Sequence, residues 1–95
     1  MPHIRLSARA RADLTRLHGF LAVKDAAAAS RAVDEIESSL FLLTQMPKMG
    51  RPVQAGLREL VIDFGSSGYL ALYSLEELAD EIVVLALRHQ REMDY

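Results

Sequence analysis

Four residues near the C-terminus have the types needed to act on a phosphate or to make a charged protein contact: Arg88, His89, Arg91 and Tyr95. Arginine grips phosphates and carboxylates through a planar fork of donors. Histidine moves protons near neutral pH, and tyrosine stacks on nucleic-acid bases. Arg58 and Tyr69 are further candidates for the same patch. Spacing alone favours a second reading: a solvated chain end in which Glu92 and Asp94 neutralise the two arginines at small energetic value. No other stretch offers a competing chemistry. The sequence has no phosphate-cradling glycine loop, no nucleophile elbow and no His-Glu-x-x-His pair. It has no cysteine, which excludes disulfides, thiolate metal sites and thiol nucleophiles. Of the three histidines, His3 is near the N-terminus and His18 stands alone, so neither a metal nor a cofactor is expected.

The elements that must position these residues follow from periodicity. Residues 82–87, Ile-Val-Val-Leu-Ala-Leu, form an unbroken apolar run, which predicts a strand buried on both faces near the middle of a sheet. The polar cluster leaves the end of that strand. At the other end of the chain, residues 3–6 suit a short first strand, and Ser7 suits a helix N-cap. Residues 8–22 then read as a helix with one apolar stripe of Ala10, Leu14, Leu17 and Leu21, leaving Arg9, Arg11 and Arg16 toward water. Asp25 caps a second helix whose stripe is Ala29, Val33, Ile36, Leu40 and Leu43, widened by Phe41 and Leu42. Pro47 ends it by residue 46. So short a connection predicts an antiparallel helix hairpin.

Residues 47–56, with two prolines and two glycines, read as a loop. Three strands follow, over residues 57–64, 69–75 and 82–87, with turns at 65–68 and 76–80. Tyr69 and Tyr73 share a face of the middle one, a pattern more typical of packing than of a site. The expected fold is α+β, with two layers in the order β-α-α-β-β-β: a helical hairpin packed on a small, mainly antiparallel sheet. The 95 residues are expected to form one domain, 1–95. No stretch has signal-peptide or membrane-span character, so a cytoplasmic protein is expected. Charge is divided: nine basic residues against five acidic through Arg58, then two against eight from Glu59 onward. The first half suits an acidic partner, while the overall balance is less basic than a nucleic-acid binder needs.

The order of elements and the local words resemble the bacterial superfamily that includes the ParE and RelE toxins. The words are Ser7-x-x-Ala10-x-x-Asp13-Leu14; Leu43-x-x-Met46-Pro47-x-x-Gly50-Arg51-Pro52; Gly56-Leu57-Arg58-Glu59-Leu60; Gly68-Tyr69-x-x-x-Tyr73; and Ile82-Val83-Val84-Leu85 leading to His89-Gln90-Arg91. Together they cover nearly the whole chain. The resemblance is closer to ParE-like members. It implies the toxin of a type II toxin–antitoxin system, neutralised by a cognate antitoxin, and leaves open a higher-order toxin–antitoxin complex.

It also implies two targets. RelE-like members cut messenger RNA on the ribosome, using lysines on the second strand, an arginine just after the Gly-Tyr word, and arginine and tyrosine near the C-terminus. ParE-like members poison DNA gyrase and are not nucleases. This sequence has Val61 and Asp63 on the second strand and Leu70 after Tyr69. Only His89, Arg91 and Tyr95 remain as candidates for catalysis. The expected function is therefore growth inhibition through gyrase, with Arg58, Tyr69, Arg88, His89 and Arg91 as target-binding candidates. A ribosome-dependent endoribonuclease and a degenerate, non-toxic antitoxin-binding module are the alternatives. Arg9, Arg11 and Arg16 are the antitoxin-binding candidates.

Overall fold

A computed structural model describes residues 2–92 and 94–95. Its elements are β1 (His3–Leu6), α1 (Ala8–Lys24), α2 (Ala26–Leu42), β2 (Arg51–Pro52), β3 (Leu57–Phe64), β4 (Ser67–Glu76) and β5 (Glu81–His89). The sheet order is β1-β5-β4-β3-β2, with β1 parallel to β5 and every other pair antiparallel. The expected two-layer α+β fold is present, with one strand more than the sequence predicts. β2 is two residues long and sits at the sheet edge, where Pro52 has no interior ladder to interrupt.

Both helix starts are built as their sequences dictate. The Ser7 hydroxyl accepts from the Ala10 N–H, and the Asp25 carboxylate accepts from the Ala28 N–H. α1 continues through Lys24, past the predicted end, so a single residue, Asp25, separates the helices. Ala10, Leu17, Ala32, Ile36, Leu40 and Leu43 bury one face of the hairpin against Leu60, Ile62, Tyr73, Ile82, Val84 and Leu87. Phe41 and Leu42 do not widen the buried stripe. They are 55% and 47% exposed, and Leu42 borders the groove between α2 and the edge of β3.

The parallel ladder stops at Leu6 paired with Val84, while β5 runs on to His89. That leaves the outer backbone groups of β5 without a strand partner, a state that costs about as much as a lost hydrogen bond. The start of α1 supplies the partners. The Ser7 N–H donates to the Val84 carbonyl and its hydroxyl donates to the Leu85 carbonyl, at 2.9 and 3.0 Å. Six residues further along the chain, the Asp13 carboxylate accepts from the Leu87 N–H at 3.0 Å. Leu85 is also the extra residue of a β-bulge, since Leu72 pairs with Ala86 but Tyr73 pairs with Val84. The bulge changes which side chains of β5 face the helices: Ile82 and Val84 before it, Leu87 after it.

A second set of bonds fixes the predicted loop of residues 47–56. Fully buried Tyr73 donates its hydroxyl to the Pro47 carbonyl at 2.7 Å and accepts from the Gly50 N–H at 2.9 Å. A Cβ on Gly50 would stand 2.6 Å from the Tyr73 ring and 2.9 Å from the Glu59 carbonyl, so glycine is required there by close approach.

Two stability outcomes follow from these bonds. Asp13→Ala strands the Leu87 N–H in the interior and is expected to cost about 2 kcal/mol. Asp13→Asn, which keeps an acceptor oxygen, should cost less. Tyr73→Phe strands the buried Gly50 N–H, with an expected cost of about 1–3 kcal/mol. Urea denaturation of the three variants checks these values.

Candidate functional site

The C-terminal residues do not form one patch. Arg88 and His89 belong to β5 itself, opposite Leu70 and Tyr69 of β4, and adjacent residues of a strand face opposite sides. His89 lies on the helix-covered side and Arg88 on the open side.

On the helix-covered side, the His89 ring meets the Tyr69 ring edge-on at 5.4 Å. Its Nδ1 accepts from the Arg91 N–H at 3.1 Å, which places the ring proton on Nε2, facing the Ser67 hydroxyl at 3.0 Å. The β5 end is held by Glu92, whose carboxylate accepts from the His89 N–H at 2.8 Å and from Arg16 at 2.9 Å. Burial disfavours the charged form of Glu92, but these two donors outweigh it and hold its carboxyl below the ordinary value. A shallow groove opens beside this cluster, lined by Leu17, Phe20, Leu21, Lys24 and Tyr69. Tyr69 is 5% exposed, so its ring is a packing element and not the base-stacking platform expected of an exposed patch.

On the open side, the chain end folds back over the sheet. The Arg88 guanidinium stands 5.0 Å above the Tyr95 ring and donates to the Glu92 carbonyl, while its buried Nε has no partner among the described residues. The Tyr95 hydroxyl donates to Glu59 at 2.7 Å. Arg51 of β2 grips the other oxygen of the same carboxylate at 2.6 Å. Glu59 is thus a buried charge satisfied from two sides, tying the edge strand to the chain end. Burial raises the pKa of Glu59, but Tyr95 and Arg51 outweigh that, and the carboxyl lies below its ordinary value. Burial and the neighbouring Glu59 carboxylate push the Tyr95 phenol upward, so it stays protonated and donates.

Arg58 does not join the cluster. It sits on the helix-covered side of β3, opposite Tyr73, and donates to the Gly50 carbonyl at 2.7 Å and the Lys48 carbonyl at 3.2 Å. Of the six residues first singled out, only Arg91 is well exposed. The expected neutralisation of the C-terminal arginines by Glu92 and Asp94 is also absent among the described residues: Glu92 pairs with Arg16 instead. Arg9 and Arg16 do not simply face water either, since both lie within 3.6 Å of the Asp13 carboxylate. Arg11 is exposed with no such partner among the described residues. Sequence reasoning gave no role to Asp13, Arg51, Glu59 or Ser67, although the first three stand in the words that carry the family resemblance. Asp13 left a further signal as the one acidic residue on the buried side of α1. Among the described residues no helix is long and apolar enough to cross a membrane, and no group of His, Asp and Glu converges as a metal site would require.

Glu59→Gln keeps the shape at this junction and removes the charge. Because the folded pKa of Glu59 is depressed, its charge stabilises the fold fully above the ordinary carboxyl value near 4.5, and that contribution is lost as pH falls through the folded value. The stability gap between the native chain and Glu59→Gln should therefore be constant near neutrality and shrink below pH about 4.5, as read by denaturation across pH.

The fold and the sequence have known counterparts. The sequence model described as "ParE toxin of type II toxin-antitoxin system, parDE" matches residues 4–94. Two curated relatives come from Caulobacter vibrioides. Toxin RelE3 is 37% identical over 92 residues, which is 97% of this chain and 98% of the relative. Toxin RelE1 is 36% identical over 89 residues, 94% of each. Among solved structures, the chromosomal ParDE toxin–antitoxin system from P. aeruginosa superposes with a TM-score of 0.81 at 24% identity, over 94% of this chain and 96% of that one. The toxin–antitoxin complex RelBE2 from Mycobacterium tuberculosis gives 0.70 at 23% identity, over 95% and 100%. At those identities the two structures speak for the fold alone, whereas the sequence match decides membership: this chain belongs to the ParE toxin family of type II toxin–antitoxin systems.

Proposed function

We propose that the chain inhibits bacterial growth by contact with DNA gyrase, not by cutting RNA, and that a cognate antitoxin neutralises it. The observation that carries this reading is the chemistry around Arg88. Cleavage of RNA by its own 2′-hydroxyl needs a proton acceptor, cationic stabilisation of the phosphate and an acid for the leaving oxygen. Beside Arg88 on the open face lie Leu70, Val61 and Asp63, two apolar residues and a like-charged repeller of phosphate. Arg88 itself is committed to the Glu92 carbonyl and the Tyr95 ring. The Tyr95 hydroxyl is committed to Glu59, and the unprotonated nitrogen of His89 is capped by the Arg91 N–H. The exposed Arg91 and the groove beside Phe20 and Lys24 offer a protein partner a mixed apolar and cationic surface instead.

The second reading is a ribosome-dependent endoribonuclease. It is favoured by the names of the two Caulobacter relatives, both called RelE toxins. Two assays separate the readings. Purified chain should inhibit gyrase supercoiling or trap cleaved DNA, and should leave messenger RNA on ribosomes intact. Codon-linked cleavage that is lost in His89→Ala or Arg91→Ala would establish the second reading. Folded protein inert in both assays, and harmless on strong expression, would identify a degenerate antitoxin-binding module.

The antitoxin is proposed to lie over the helix hairpin, with acidic residues near Arg9, Arg11 and Arg16. Since Arg9 and Arg16 already share Asp13, most of the attraction falls to Arg11. Arg11→Glu should weaken the complex about as much as Arg9→Glu and Arg16→Glu together, measured by titration calorimetry.

A further inference from the structure

The two ends of the molecule carry complementary surfaces. At one end, the last turns of α1 present apolar side chains to solvent: Phe20 is 69% exposed and Val23 89%. They are three residues apart and therefore neighbours on one flank of the helix, beside the core-facing Leu17 and Leu21. Lys24 closes the helix next to them and makes no ion pair among the described residues. At the other end lies an open groove of about 630 Å³, walled by Met46, Pro47, Met49 and Leu75. Met46 is 57% exposed and Met49 38%, and flexible thioethers adapt to whatever apolar shape is offered to them. Glu77 and Asp80 stand on the rim, opposed by Lys48 alone among the lining cations. Neither acid makes an ion pair among the described residues. β4 measures the distance between the two surfaces. Tyr69 lines the groove beside Phe20, and Leu75 lines the methionine groove. Six residues of strand separate them, about 20 Å at the rise of a β-strand.

We infer that the chain associates head to tail with a second copy of itself, Phe20 and Val23 of one copy entering the methionine groove of the next. Lys24 of the first copy then faces Glu77 and Asp80 of the second across the rim. Burial of apolar surface and opposite charge favour the same contact. A two-fold contact through either end does not have this property. It sets Glu77 and Asp80 against their own copies, or Lys24 against Lys24. The head-to-tail contact is heterologous, so every dimer keeps one free helix end and one free groove, and the assembly propagates into a ring or an open chain. The inference does not rest on the gyrase reading. The contact covers Phe20 and Lys24, the surface which that reading offers to a target, so an assembled chain holds that surface out of reach.

Sedimentation velocity of the purified chain provides the test. The native chain should gain mass with concentration, past the dimer, and lose it again as salt screens the rim charges. Two double variants each break one side of the contact. Phe20→Glu with Val23→Glu removes the apolar insert, and Met46→Lys with Glu77→Lys blocks the groove. All four residues are exposed, so the fold is kept, as circular dichroism checks. Each variant alone should stay monomeric at concentrations about tenfold above those that assemble the native chain. Mixed in equal amounts, the two should form a one-to-one dimer and nothing larger, because one retains the groove and the other the insert. A monomeric native chain, assembly that persists in either variant, or a mixture that stays monomeric overturns the inference. A native monomer whose Met46 and Met49 methyl resonances shift with a basic amphipathic peptide also overturns it, and gives the groove to a different protein. Neither gyrase nor antitoxin is present, so the outcome is independent of the proposed target.

Discussion

The Asp13 carboxylate is where the two layers of this protein are joined by chemistry as well as by packing. A strand that outlasts its parallel neighbour exposes backbone donors to an apolar interior, and water is not there to receive them. A helix cannot lend its own backbone, which is spent on itself, but it can lend side chains. Ser7 and Asp13 do so, and the start of α1 thereby takes over the hydrogen-bonding edge where β1 leaves off. The register of the hairpin on the sheet is fixed in consequence. Arg9 and Arg16 flank the same carboxylate and compensate its charge, which makes part of the basic first half of the chain structural.

Glu59 has the corresponding role on the other face. Its carboxylate gathers Arg51 from the sheet edge and Tyr95 from the chain end. A buried carboxylate with two good donors rewards both elements for staying in place, and losing either donor would leave a charge in a poor solvent. The sheet edge and the C-terminal segment are therefore energetically linked although 36 residues separate Glu59 from Tyr95.

Much of the fold was legible in the sequence because its signals are local. Ser7 and Asp25 announce helix starts, the 3.6-residue stripes identify the buried helix faces, and the Ile82 to Leu87 run identifies a core strand. The illegible parts are those decided at a distance. Phe41 and Leu42 continue an apolar stripe in sequence, yet both stay about half exposed at the margin of the core. β2 is too short to have a period. The site was least legible. Arg88 and His89 look like neighbours in a patch, whereas Arg58 and Tyr69 look available. Arg58 turns to the carbonyls of residues 48 and 50, and Tyr69 turns into the core. For Tyr69 the face it shares with Tyr73 already pointed to packing; for Arg58 no local pattern encodes the outcome.

The bulge at Leu85 has one more consequence. It fixes the parity of β5, so that residues 88 and 89, joined by one peptide bond, look out on separate rooms of the molecule. Arg88 sees the folded-back chain end, and His89 sees the groove under the helix hairpin. Whatever occupies one room is screened from the other by the thickness of a sheet. Isotope labels on these two consecutive residues would act as independent reporters, one for each side, in any complex the protein forms.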